Sequence, residues 1–231
     1  MTFSSDFPPF PGFRPQALDF LRALKQHNRR DWFKPRKAIY EDEVRWPMQC
    51  LIAEVGRQLA RRGLPLRGDP ERGLFRIYRD TRFTKDKRPY KTHIGAVLSR
   101  TGSRRDLGVV YIHVEPGASF LGAGFWKPEP AFLRRWRQRM LQENETFLEL
   151  VRHLQAHDLT LETDTMLKRM PRGFEEAADS PVAPYLRWHS FLVSRDVSDE
   201  ALLRRDFTQT VVQFAETVLP LLEFGWAAVD T

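Results

Sequence analysis

Apolar positions recur at helical spacing near both ends of the chain and alternate in its middle. In "PQALDFLRALKQHN", Ala17, Phe20, Leu21 and Leu24 fall on one helical face, and Pro15 sits in the first turn, where an N–H is not needed. "RKAIYEDEVRWPMQCLIAEVGRQLARRG" repeats the pattern with Val44, Met48, Leu51, Val55 and Leu59. Pro47 is expected to kink this helix or start it afresh, and Gly63 to end it. From about Glu129 to His157 a further stripe runs through Phe132, Trp136, Met140, Phe147, Val151 and Leu154. The last helix is expected from Ser198-Asp199, an N-cap signal, with Leu203, Phe207, Val211, Phe214 and Val218 buried and Pro220 bending or ending it.

The middle has period two. "GLFRIYRD" sets Phe75 and Ile77 against Arg76 and Tyr78. "HIGAVLS", "LGVVYIHVEP" and "SFLGAGFW" follow, joined by "RTGSRRD" and by Pro116-Gly117. Such connectors are too short for crossover helices, so an antiparallel meander is expected. "WHSFLVSRDV" is a candidate for one more strand. The pattern predicts an α+β fold, with a central, mostly antiparallel sheet over residues ~74–126 packed by N-terminal and C-terminal helices. One domain over 13–227 follows a tail over 1–12.

Composition narrows the class. The 231 residues are 42% hydrophobic and 29% charged, ordinary for a globular domain. A single cysteine, Cys50, rules out an internal disulfide and a multi-cysteine metal site, and reads as a small buried residue. No apolar run is long enough for a spanning helix, and the N-terminus does not read as a signal peptide. The expected location is therefore cytoplasmic, with no membrane partner.

Charge sharpens the picture. Of a formal net charge of +7, most comes from one segment. Between Arg76 and His93 stand Arg76, Arg79, Arg82, Lys85, Lys87, Arg88 and Lys91 against only Asp80 and Asp86. A local excess of this kind is the footprint of an anionic partner, or else a solvated loop. Arginine binds phosphate or carboxylate as a fork and lysine as a point charge. Phe83 and Tyr90 interleave the cations with aromatic faces, which stack on a base or pin the loop to the core.

A second group of candidates follows from strand alternation. Val110, Ile112 and Val114 share one face of "VVYIHVEP"; Tyr111, His113 and Glu115 share the other. With His93 opening the neighbouring strand, His93, His113 and Glu115 are candidates for acid–base chemistry, and Tyr111 for ligand binding. Gly122 and Gly124 lack the third glycine of a dinucleotide fingerprint, so they mark either tight packing or a close approach to a ligand. His153 and His157, at i, i+4, lack an obvious third ligand, so no metal site and no cofactor is assigned.

The order of these motifs resembles a known family. "FLRALKQHNRRDWFKPRKAIYEDEV", "FRIYRDTRFTKDKRPYKTHIGAVL", "YIHVEPGASFLGAGFWKPEPAFLRRWR" and "KRMPRGF" occur in sequence, and the chain is similar over about Phe13 to Ala227 to the uncharacterised bacterial family known as domain of unknown function 2461. The resemblance implies a single α+β unit and makes the basic segment a family feature; it carries no activity. Arg79, Asp80, Arg82, Phe83, Lys85, Asp86, Lys87, Pro89, Tyr90 and Lys91 match its strongest pattern, and Gly122, Gly124 and Trp126 the next. Where similar proteins have paired asparagines before "WF", this chain has His27-Asn28. Where they have His-Pro, it has Ser180-Pro181, so no histidine role is carried over there.

Three functional expectations stand side by side. The leading one is a basic groove for a phosphate-bearing ligand, a nucleotide or nucleic-acid segment, held by Arg79, Arg82, Lys85, Lys87 and Lys91, with Tyr90, Tyr111, Gly122, Gly124 and Trp126 around it. The second is an enzyme on a phosphorylated or carboxylated small molecule, using His93, His113 and Glu115. The third is structural, with the basic segment locked by its own ion pairs, Arg79–Asp86 or Asp80–Lys87.

Overall fold

The computed structural model describes residues 7–228. Its four strands, β1 (Ile94–Leu98), β2 (Val109–Val114), β3 (Ser119–Phe125) and β4 (Phe191–Val197), form one antiparallel sheet in the order β1-β2-β3-β4. β1 pairs with β2 so that Gly95 faces His113 and Val97 faces Tyr111. "WHSFLVSRDV" thus supplies the fourth strand. "GLFRIYRD" does not supply the first. Leu74 bridges to Ala96 and Tyr78 bridges to Tyr90, two isolated bridges rather than a ladder. The stretch bends between its two partners: Phe75 donates to the Gly95 carbonyl, whereas Arg79 donates to the carbonyl of Pro89, a residue with no N–H to return.

By packing, the chain divides into two compact units. One takes the described residues up to Asp106, with Val110–Leu121 and Asp196–Phe214. Its helices are α1 (Pro15–Gln26), the short α2 (Arg30–Phe33) and α3 (Lys37–Ile39), and α4 (Trp46–Arg61). Lys34–Arg36 forms a 3₁₀ turn between α2 and α3, and Tyr40–Arg45 a π-helical turn before α4. Pro47 thus stands in the first turn of α4, where its missing N–H is tolerated. α4 ends as a Schellman turn: Gly63 has φ +71° and Leu64 N–H reaches back to the Leu59 carbonyl. Val44, Met48, Leu51, Val55 and Leu59, the expected stripe, are fully buried, and Cys50 with them. β1 is buried along its whole length, whereas β2 alternates.

The other unit takes Leu107–Val109, Gly122–Arg195 and the chain from Ala215. The helix-period stretch over 129–157 is two helices, α5 (Pro130–Gln142) and α6 (Asn144–Gln155), parted at Glu143, whose φ −120° and ψ 45° leave the helical region. The stripe survives the break: Phe132, Trp136, Met140, Phe147, Val151 and Leu154 are all buried. A short helix, α7 (Ala183–Leu186), precedes β4. Gly124 explains itself here. It has φ +124°, and a Cβ on it would lie 2.0 Å from the Phe191 carbonyl oxygen, so the glycine serves strand packing.

The C-terminal helix also departs from expectation. Ser198 does cap α8 (Asp199–Leu203), its hydroxyl accepting from Ala201 N–H, but Arg204–Asp206 separates it from α9 (Phe207–Ala227). Leu202, not Leu203, is the buried residue of that short helix. Pro220 does not end α9. A proline inside a helix disturbs the carbonyls one turn back, and in the second unit His153 Nε2 lies 3.0 Å from the Thr217 carbonyl.

Candidate functional site

The basic segment is a closed loop in which Arg79, Arg82 and Arg88 pair with its two aspartates, while the excess of positive charge remains. Arg79 N–H bonds the Pro89 carbonyl and Lys91 N–H the Ile77 carbonyl, at 2.9 and 2.8 Å, which closes the loop at its base. Asn28 locks that base: its side chain donates to the Tyr90 carbonyl at 2.9 Å and accepts Tyr90 N–H at 3.0 Å. Asn28 thus takes the place of a neighbouring strand. Tyr90 is buried and stacked on Phe33, with ring centroids 4.2 Å apart.

Inside the loop both aspartates are engaged. Asp86 takes Arg79 and Arg88, and these guanidinium groups hold its carboxyl well below the ordinary range, Arg88 most strongly. Asp80 takes Arg82 at 2.7 Å, which lowers its carboxyl as well. Lys87 Nζ donates to the Thr81 carbonyl. Lys91 stands 5.1 Å from the Phe75 ring, and its ammonium is pushed down by burial and by Arg76 and Arg104. Phe83 is 92% exposed at the tip, with Arg82 over its ring. The Arg79–Asp86 pair of the structural expectation is present; in place of Asp80–Lys87, Asp80 chooses Arg82.

Beside the loop base lies a pocket of about 470 Å³. Arg30, Lys34, Lys37 and Arg79 line it, with Tyr78 and Tyr90, and no carboxylate does. Arg30, Lys34 and Lys37 stand at i, i+4 and i+7 of one helical run, which puts them on a common face. Among the described residues no ion pair engages these three. Only Arg79 and Tyr90 of this wall were expected. Helix-spaced cations in "RRDWFKPRK" were the available signal, hidden because the neighbouring Arg29 and Arg36 carry the same charge and turn elsewhere, Arg29 to Asp31 and Arg36 to the Trp32 carbonyl and ring.

The polar face of β2 gathers the other candidates. His93, Gly95 and Val97 on one strand face Tyr111, His113 and Glu115 on the next, by the period of two and the register. Gly95 is required there: a Cβ on it would lie 2.4 Å from the Tyr111 hydroxyl and under 3 Å from its ring. The phenol lies across the gap and reaches His113 Nδ1 at 3.0 Å. His113 Nε2 stands 3.4 Å from Glu115 Oε2. The other carboxylate oxygen, Oε1, accepts from Thr92 Oγ1 at 3.1 Å and from Lys25 Nζ at 3.3 Å. The His93 and His113 rings are 4.2 Å apart, and Phe120 stacks on His113 from the other side.

Burial governs the protonation of this face. It pushes His93 down to about 4, aided by His113 and Lys91. It also lowers His113, against the pull of Glu115, and raises Tyr111 to about 12. For Glu115 the hydrogen bonds from His113, Thr92 and Lys25 outweigh burial and hold the carboxyl below its usual value. At neutral pH the face therefore presents two neutral imidazoles, one neutral phenol and one carboxylate.

His93, His113, Glu115 and Tyr111 are thus brought together, and Arg79 acts electrostatically on His93. Arg82 turns to Asp80 and Lys87 to the loop backbone, and Lys85 is exposed. Gly122, Gly124 and Trp126 belong to the other unit, where Trp126 is 67% exposed beneath Lys127. No helix among the described residues is long and apolar enough to cross a membrane.

No curated protein and no solved structure matches the chain. The family model of the conserved hypothetical protein DUF2461 matches residues 16–224. That span takes in the loop, the pocket and the histidine face alike, and the chain belongs to the DUF2461 family.

Proposed function

We propose that the protein binds a small phosphate-bearing ligand, of nucleotide size, in the pocket beside the loop base. One observation carries the reading: four cationic side chains and no carboxylate line a concavity of about 470 Å³, a volume within the range of small-molecule sites. Arg30, Lys34 and Lys37 hold the anion, Arg79 completes the wall from its pair with Asp86, and the half-exposed Tyr78 offers a ring for stacking. The rest of the basic segment is a scaffold for this wall. A thermal-shift series at low salt with inorganic phosphate, pyrophosphate and a nucleoside triphosphate tests it. Stabilisation that Lys34→Gln/Lys37→Gln abolishes is expected. Absence of any shift overturns the reading. Tighter binding of a single-stranded oligonucleotide, with affinity falling steeply in salt, replaces the small ligand with nucleic acid.

The chain Tyr111–His113–Glu115 favours a second reading, an enzyme acting on a phosphorylated or carboxylated small molecule. His113 and His93 would move protons there, with Glu115 orienting His113. Turnover of such a substrate lost in His113→Ala, with pyrophosphate binding kept, is its signature; binding without turnover in wild type removes it.

A further inference from the structure

The face built by His93, His113 and Glu115 holds donor atoms that lie within 4.8 Å of one another. Two of them are already at a metal-like spacing. His113 Nε2 and Glu115 Oε2 are 3.4 Å apart. That is long for an imidazole–carboxylate hydrogen bond, whose usual length is about 2.7–2.9 Å. It equals the edge of a tetrahedron with bonds of about 2.1 Å, the length of Zn–N and Zn–O bonds.

The outer partners are arranged to match. Glu115 directs Oε1 to Thr92 and Lys25, which leaves Oε2 turned toward His113. Tyr111 Oη sits on His113 Nδ1, the nitrogen that a Nε2-bound imidazole uses to donate outward. Phe120 and His93 flank the His113 ring and fix its plane. Backbone order at the carboxylate comes from Ser119, whose hydroxyl accepts Glu115 N–H and donates to the Glu115 carbonyl. Gly95 opens the space that lets the tyrosine reach its place.

We propose that His93, His113 and Glu115 bind a divalent transition-metal ion such as Zn²⁺, with Tyr111 as a positioning residue for His113. Two imidazoles and one carboxylate are a borderline-soft donor set, suited to zinc or another first-row ion rather than to calcium or magnesium. Three protein ligands leave a fourth position open to water or an incoming group. His113 binds through Nε2, and the proton of the neutral ring then sits on Nδ1 and is donated to the Tyr111 oxygen. The site does not depend on the anion pocket, and either stands if the other falls.

The test is titration of the metal-stripped full chain with Co²⁺, followed by displacement with Zn²⁺. One Co²⁺ per chain is expected, with the visible bands of a tetrahedral ion, bleached by Zn²⁺. His93→Ala, His113→Ala and Glu115→Gln each weaken binding by at least about 100-fold, and Tyr111→Phe by about 10-fold to 100-fold. His157→Ala controls for adventitious uptake at the His153/His157 pair and leaves the spectrum unchanged. Should the alanine variants fail to fold, Tyr111→Phe and His157→Ala carry the test. No Co²⁺ uptake at micromolar metal, uptake unchanged in His113→Ala, or uptake lost in His157→Ala overturns the proposal.

Discussion

The loop over 79–91 and the polar face of β2 use ionisable residues in opposite ways. The loop holds many charges, close in sequence, and pairs them with one another: Arg79 and Arg88 on Asp86, Arg82 on Asp80. The β2 face holds few, drawn from both strands and half-buried, with one carboxylate, paired outward to Lys25, among two imidazoles and a phenol. Exposed pairs add little to stability because water screens them. Groups withdrawn from water have their pKa values moved and their donors fixed in direction. A dense run of charge therefore marks a loop that orders itself, whereas a sparse alternation marks a place where chemistry can occur. The pocket wall joins the two, since Arg30, Lys34 and Lys37 come from a helical run distant in sequence from the loop and Arg79 from the loop itself.

That contrast breaks first at Gly95. Gly95→Ala forces a Cβ against the Tyr111 ring and is expected to cost about 1–3 kcal/mol of stability, as overpacking does, and to displace the phenol from His113. Urea unfolding measures the first effect and the His113 ring resonances the second. A variant as stable as wild type, with those resonances unmoved, denies that the face is tightly arranged.

Acid is the next lever. His93 has a folded pKa of about 4 against 6.5 when free, so between these values the unfolded chain binds a proton that the folded chain refuses. Stability then falls as pH drops from 6.5 toward 4. The groups acting on His93 are His113, Lys91, Arg79 and Glu115; only Glu115 pulls the other way. In thermal melts of the metal-free chain from pH 7 to 4.5, His93→Gln is expected to flatten the slope. An identical slope in the variant places the titration elsewhere.

The loop side answers with smaller effects. Asp86→Asn releases Arg79 and Arg88, and amide exchange over 79–91 is expected to quicken while the global melting temperature moves by only about 1–2 °C. A large global loss would make the loop part of the core. Arg82→Ala is expected to change least, with a melting temperature within about 1 °C of wild type, because its partner Asp80 is its near neighbour and both are exposed.

Periodicity located most of the fold. The helix stripes were legible because apolar side chains at 3.6-residue spacing have one way to be buried, and Val44 to Leu59 and Phe132 to Leu154 are buried as read. "GLFRIYRD" misled for a related reason: its alternation is real, with Ile77 inside and Arg76 and Tyr78 outside, but a strand also needs a continuous partner, and hydrogen-bond partners are not written in side-chain pattern. Of the two outcomes expected at Pro220, bending or ending, the helix does not end there but runs on to Ala227.

For the sites, alternation along "VVYIHVEP" was enough to group Tyr111, His113 and Glu115, since the pleat alone fixes which residues share a face. The pocket cations Arg30, Lys34 and Lys37 are not legible in the sequence as a site. Their significance depends on Tyr78 and Tyr90, about 40 to 60 residues further along the chain, which no local pattern contains. Charge counting favoured Arg82, Lys85 and Lys87, whose surroundings are their own loop.

The central claim is that the helix-borne cations, not the denser charge of the loop, meet the ligand. Calorimetric titration of pyrophosphate into two double variants, Lys34→Gln/Lys37→Gln and Arg82→Gln/Lys85→Gln, tests it with equal changes in net charge. Affinity is expected to fall by about tenfold or more in the first, the loss of at least one charge-assisted contact, and to stay within about twofold of wild type in the second, where only exposed, water-screened charge is removed. Equal losses in both, or a larger loss in the loop variant, would contradict it.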